Sequence, residues 1–114
     1  MTNLNQIEQD DVTIVRFSGS LAAVDVQAIK ASFEQLTRQP GVRLVVDLAG
    51  VNMMATPAIA LFVAANQVVR ERGGRIVFTR ITPPVGDVLH VLRLDSIFQI
   101  TPELDQAVAQ VKGS

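Results

Sequence analysis

Few residues in this chain have types and spacing that could do chemistry. The one histidine, His90, lies in "DVLHVLRL", with Asp87 three residues before it and apolar neighbours after it. Nucleophilic catalysis needs a nucleophile beside a base, most often histidine, and this setting instead predicts a structural or surface histidine. There is no cysteine, so disulfides, a thiol nucleophile and thiolate metal sites are excluded. Most of the eleven acids (Asp10, Asp11, Asp25, Asp87, Asp95, Glu103 and Asp105 among them) fall at expected turns and helix ends. Solvation and capping account for them there, and no pair is spaced to converge as general acid and base. Metal-ligand clusters and the glycine loops that cradle phosphate are missing too. The expectation is a protein that is not an enzyme and carries no metal and no cofactor.

Two positions keep a chemical reading. Asp47 stands near the carboxyl end of the apolar run "RLVVDL", the end of a parallel strand where ligands often bind. It is either a site residue or an acceptor for loop amides near the following helix. Thr56, in "NMMATPAIALF", opens an apolar helical window just before Pro57. Its hydroxyl is either a phosphate acceptor or the cap of the helix, a role worth on the order of 1 kcal/mol. In the capping reading Pro57 takes the first helical position, where a missing N–H costs nothing.

The elements that position these residues follow from the apolar pattern. Leu4 to Glu8 reads as a weak strand, Asp10-Asp11 as a turn, and Val12 to Phe17 as a strand rich in β-branched residues. Asp25 is expected to cap a helix whose apolar positions Val26, Ile29, Phe33 and Leu36 recur at helical spacing, ended by Gln39-Pro40-Gly41. Arg43 to Leu48 has the continuous apolar character of a strand buried on both faces. Pro57 to Arg72 reads as a helix stopped by Gly73-Gly74. Arg75 to Thr79 follows as a strand, Pro83 to Leu92 as a helix, Ile97 to Ile100 as a short strand and Pro102 to Val111 as a last helix. The order ββαβαβαβα predicts one α/β domain over residues 1–114, with a mostly parallel mixed sheet and about four helices. Thr56-Pro57, Thr82-Pro83 and Thr101-Pro102 each precede an expected helix.

Composition narrows the class of partner. The 114 residues are 48% hydrophobic and 18% charged, with a formal net charge of -1, enough apolar surface for a real core and no basic field for nucleic acid or an anionic membrane. Tryptophan and tyrosine are absent, which removes the usual stacking platforms for bases. No run approaches the ~20 apolar residues of a membrane span, and the polar N-terminus lacks a signal-peptide core, so a cytoplasmic protein that is not membrane-inserted is expected. What remains is surface. "PAIALFVAA" (57–65) is apolar all the way round, and a helix buried by its own sheet hides only one face. Pro57, Ala58, Leu61 or Ala65 should therefore stay exposed, and with Met53 and Met54 just before them they would form an apolar interaction patch. Such a patch could also floor a small-ligand pocket.

These residues carry a resemblance. The chain resembles a STAS domain, the family of bacterial anti-sigma factor antagonists, over essentially its whole length. The blocks that carry it are "VTIVRFSGSL", "LVVDLAGVNMM", "RGGRIVFTRITPPV" and "LRLDSIFQI". In such domains the second helix starts on an Asp-Ser-Ser-Gly-like motif whose second serine is phosphorylated by a partner kinase that is also an anti-sigma factor. The unphosphorylated antagonist sequesters the kinase and frees the sigma factor. Matched position by position, the aspartate falls on Ala55, the first hydroxyl on Thr56, the phosphorylated serine on Pro57 and the glycine on Ala58. A further acid usual after the first hairpin falls on Ala22. The resemblance thus implies a regulatory module of bacterial transcription signalling that binds an anti-sigma factor, a serine kinase or another STAS protein. Binding would run through Met53, Met54, Ala55, Thr56, Pro57, Ala58 and Leu61, with the phosphoswitch lost or shifted to Thr56; a dimer is compatible with it. The alternative is a STAS-like accessory subunit of a membrane transporter, docking on its ATPase.

Overall fold

The computed structural model describes residues 3–113. It opens with a hairpin, β1 (Asn3–Gln9) and β2 (Val12–Leu21), joined through Asp10 and Asp11 at φ 50° and 66°. Two successive left-handed residues give the tight turn whose twist matches its strands, and aspartate is one of the few side chains that tolerates it. The chain continues through α1 (Ala23–Thr37), β3 (Arg43–Met54), α2 (Thr56–Glu71), β4 (Arg75–Thr79) and α3 (Pro83–Val91). A single 3-10 turn at Leu94–Ser96, the two-residue strand β5 (Ile100–Thr101) and α4 (Leu104–Lys112) complete it. The sheet order is β1-β2-β3-β4-β5, antiparallel only between β1 and β2. The expected element order and mixed, mostly parallel sheet are what the fold shows.

Period-two alternation divides the core. On one face Phe17, Leu44, Val46, Leu48 and Phe78 meet α1, α2 and α3. On the other, Val12, Ile14, Val45 and Val77 meet Ala107, Val108 and Val111 of α4. The helix positions inferred from spacing, Val26, Ile29, Phe33 and Leu36, are all buried. Phe62 is the hub of the larger core, with edge-to-face contacts to Phe17, Phe33 and Phe78 at centroid distances of 5.5, 5.6 and 5.6 Å. Such pairs add to the burial term because the ring edge of one meets the face of another. α4 reaches only the first half of the strands. Beyond Ile14 and Val45 the same face carries Arg16 and Asp47, which none of the described helices covers.

Several element ends differ from those expected, each for a local reason. Asp25 lies in the first turn of α1, not at its cap: Ala22 holds the cap position, and the Ala22 N–H donates to Asp25 Oδ2 at 3.2 Å. β3 runs six residues past Leu48, pairing with β2 through register shifts after Arg16 and Gly19. Only Thr82 of the three Thr-Pro pairs occupies a cap position. Thr56 is already the first residue of α2, with Ala55 before it as the cap residue, and Thr101 belongs to β5. Ile97 to Phe98 is not strand, because the Ile97 and Phe98 N–H groups close onto the Leu94 carbonyl at 3.0 Å each. Gly73, at φ 77°, supplies the left-handed stop of α2.

Candidate functional site

The end of β3 and the start of α2 place the candidate residues in a tight turn. The Ala55 N–H donates to the Leu21 carbonyl at 2.9 Å, so the turn is stitched to the end of β2. The Ala55 carbonyl accepts from Ala58 and Ile59 at 2.9 and 3.2 Å and so launches the helix. Thr56 and Pro57 occupy its first two positions. Thr56 and Pro57 are both exposed, and the Thr56 hydroxyl makes no capping bond. The expected Thr56 cap is therefore corrected: its backbone is one residue too far into the helix to cap it.

The expected exposure is also revised. Met53 is 43% exposed, and Ala55 is half-buried. Met54, Ala58, Leu61 and Ala65, however, are buried at 7%, 1%, 6% and 4% exposure. α2 is apolar all round because it is covered on two sides, by the sheet and by α1. Near its start α2 shows Pro57, Ala60 and Ala64 to the groove beside α1. This open apolar groove, of about 400 Å³, is lined by Ala23, Val26, Pro57, Ala60, Leu61 and Ala64 among others. The contribution of α1 was not read from the sequence. The α1 residues that line the groove, Ala23, Val26, Gln27, Lys30 and Glu34, are of mixed type, and nothing in their spacing marks a groove wall.

Asp47 lies on the opposite face of the sheet. It is 1% exposed, and two arginines converge on it. Arg16 Nε donates to Oδ2 at 3.0 Å, and Arg80 donates through Nε to Oδ1 at 3.1 Å and through a terminal nitrogen to Oδ2. The Ala49 N–H donates to Oδ1 at 3.1 Å. Burial pushes the carboxyl pKa up, but the Arg80 hydrogen bond, the Ala49 amide, the Arg80 charge and the Arg16 hydrogen bond outweigh it, so the group is held below the usual carboxylate range. Asp47 does accept from a backbone amide, but that amide is Ala49 within β3, not one in a loop near the following helix. The arginines, 31 and 33 residues away, left no local signal.

His90 is exposed, as its sequence setting implied, and its Nδ1 lies 2.8 Å from Asp95 Oδ2. The hydrogen bond with Asp95 raises the His90 pKa above the ordinary value. Among the described residues, no group of three or more metal-ligating side chains converges, and no helix is long and apolar enough to cross a membrane.

Comparison with known proteins places this geometry. The chain superposes on the anti-sigma factor antagonist from Mycobacterium paratuberculosis with a TM-score of 0.87 at 22% identity, covering 99% of this chain and 96% of that one. It superposes on the STAS domain anti-sigma-factor antagonist from Planctomyces limnophilus with a TM-score of 0.84 at 19% identity, covering 96% and 98%. The phosphorylated form of the Bacillus cell fate determinant SpoIIAA matches with a TM-score of 0.73 at 16% identity, covering 98% and 100%. At these identities the likeness is one of fold. The STAS domain model itself matches residues 3–107, and by that match the chain belongs to the STAS domain family.

Proposed function

We propose that this protein is a non-enzymatic regulatory module of the anti-sigma factor antagonist type, acting in the cytoplasm. Its partner would be of the anti-sigma factor or serine kinase kind. Docking would use the rim of α2: Met53, Ala55, Thr56 and Pro57, continued into the α1–α2 groove by Ala60. Met54, Ala58 and Leu61 support that rim from beneath. The observation that carries the reading is the exposed Met53 beside Pro57 and an open apolar groove. Apolar surface gathered at one place favours a protein partner, and a flexible methionine adapts to it.

A pull-down of the purified candidate kinase or anti-sigma factor tests the surface. Met53→Asp and Ala60→Glu alter exposed positions and should leave the fold intact, which circular dichroism checks. Each should weaken capture at least tenfold, whereas Val91→Asp, on the exposed end of α3, should not. Retained capture by both rim variants would refute the docking surface. Ala58→Glu is a poor probe, since Ala58 lies in the core.

The same reading holds that the phosphoswitch is absent in its usual form. Pro57 has no hydroxyl, and Ala55 removes the expected acid. Incubation with the kinase followed by mass spectrometry should find no phosphate on the wild-type α2 start, and phosphate at position 57 only in a Pro57→Ser variant. Stoichiometric modification of Thr56 would instead assign the switch to it.

A further inference from the structure

The uncovered half of the sheet, on the α4 side, holds a second feature. Beside Asp47 lies a hollow of about 240 Å³ lined by Asn5, Arg16, Ser18, Gly50 and Arg80 among others. It is smaller than the ~300–1,000 Å³ of pockets that enclose drug-sized molecules and is of a size for an ion or a head group. Its charge is asymmetric: two guanidiniums face one carboxylate, and among the described residues Asp47 is the only acid in the lining.

The donors are unequally spent. The Asp47 oxygens are saturated by three guanidinium N–H groups and the Ala49 amide. Arg16 gives Asp47 only its Nε, and its side chain is 40% exposed. Its two terminal nitrogens are therefore left over from that bond as a planar pair of donors, the geometry that matches an oxyanion. Asp47 fixes that pair in place from behind, so little rotamer freedom is left to lose on binding.

The floor is built around this hollow. The β2–β3 register shifts between Arg16 and Ser18, an irregularity that breaks the ladder at the level where the Ala49 N–H turns to Asp47. Gly50 pairs with Ser18, and a Cβ on it would stand 2.9 Å from the Ser18 Cβ, so only glycine lets the strands meet here. Arg80 adopts φ 54°, an uncommon conformation for a side chain of this length, and from it the guanidinium reaches Asp47.

We propose that this hollow binds a phosphate group, held by the terminal nitrogens of Arg16 with Ser18 and Arg80 at its sides. The site is separate from the docking rim and independent of that reading. Nitrogen-15 spectra of the full chain, titrated with inorganic phosphate at ionic strength held constant with chloride, test it. The Ser18 and Gly50 amides and the Arg16 Nε–H should shift saturably. Arg16→Gln should weaken binding at least tenfold, and Arg16→Lys, which keeps the charge without the fork, at least threefold. Ser18→Asp puts a negative charge in the hollow, repelling phosphate while leaving the three ion-pair residues in place, and should abolish binding in a folded protein. Phenyl phosphate in a parallel titration separates the sources: binding of both probes assigns a monoester head group, and binding of inorganic phosphate alone assigns the free ion. Equal shifts with chloride alone, or unchanged binding by a folded Ser18→Asp variant, would overturn the site.

Discussion

Replacing Asp47 by asparagine removes the charge that two arginines address, with almost no change in volume. The wild-type carboxylate is 1% exposed and bonded by Arg16, Arg80 and the Ala49 amide. Breaking a buried ion pair costs about 3–5 kcal/mol when the surviving charge stays buried. Here the surviving guanidiniums are 40% and 39% exposed and can turn to water, which lowers the cost to about 2 kcal/mol, the scale of a lost charge-assisted hydrogen bond. Unfolding entropy at ~2.1 cal/mol/K per residue gives about 240 cal/mol/K for this chain, so Tm should fall by about 8 °C near neutral pH. Thermal unfolding followed by far-ultraviolet circular dichroism reads it. The pH dependence isolates the charge. Because the folded-state pKa is lowered, the contribution is whole above the unfolded value of about 3.9 and is lost as pH falls from there through the folded pKa. The Tm gap between wild type and Asp47→Asn should thus be constant above about pH 5 and narrow below about pH 4. A fall under about 2 °C at neutral pH, against the ~8 °C worked above, or a gap that widens in acid, would refute the electrostatic account.

Three further outcomes follow from the packing and the charges. Phe62→Ala deletes the hub of the aromatic core and should cost about 3–5 kcal/mol, measured by urea unfolding, with the native m-value retained. Gly74→Ala places a Cβ 2.4 Å from the Val42 carbonyl oxygen, a backbone clash that should cost about 1–3 kcal/mol in the same assay; Gly113→Ala, with its nearest neighbour at 3.7 Å, should cost far less. The raised His90 pKa means that the bond to Asp95 is whole below the free-histidine value of about 6.5 and is lost as pH rises through the folded pKa. A proton-NMR titration of His90 should show its midpoint fall toward that value in Asp95→Asn.

What could be read from the sequence is what short-range chemistry decides. β4 begins and ends where Arg75 and Thr79 were expected to bound it, since Gly73-Gly74 stops the helix before it and its β-branched run fills one buried strand. The buried stripe of α1 was legible for the same reason: spacing alone sets which side chains share a face. Where partners come from elsewhere, sequence was silent. The two arginines of Asp47 arrive from β2 and from beyond β4, and Arg16 meets Asp47 only through strand register. The exposure of α2 was misread because a continuous apolar run does not say how many neighbours cover it. With α1 packed beside the sheet, Leu61 and Ala65 are buried, leaving the small residues Ala60 and Ala64 to line the open groove. The Thr-Pro pairs misled at Thr56, which already belongs to α2, and at Thr101, which belongs to β5, because proline suits the first turn of a helix without fixing which residue caps it.

The donor count at the start of α2 bears on how the proposed docking surface could be regulated. A helix N-terminus holds phosphate by free N–H groups and by its dipole. Here Pro57 offers no N–H, Ala55 has committed its own to Leu21, and Ala58 and Ile59 both donate to the Ala55 carbonyl. Of these first five residues, only the Thr56 amide is left outside these bonds, so a phosphate on Thr56 would be held mainly by the dipole, at about 0.3–1 kcal/mol. Thr56 and Pro57 are both exposed, and charges at such a surface are screened over about 8 Å at physiological ionic strength. Repulsion of a partner would act at the exposed rim of Met53, Thr56, Pro57 and Ala60, because Ala58 and Leu61 lie beneath the surface. In this reading apolar contact sets partner affinity, and raising the salt concentration should leave that affinity nearly unchanged.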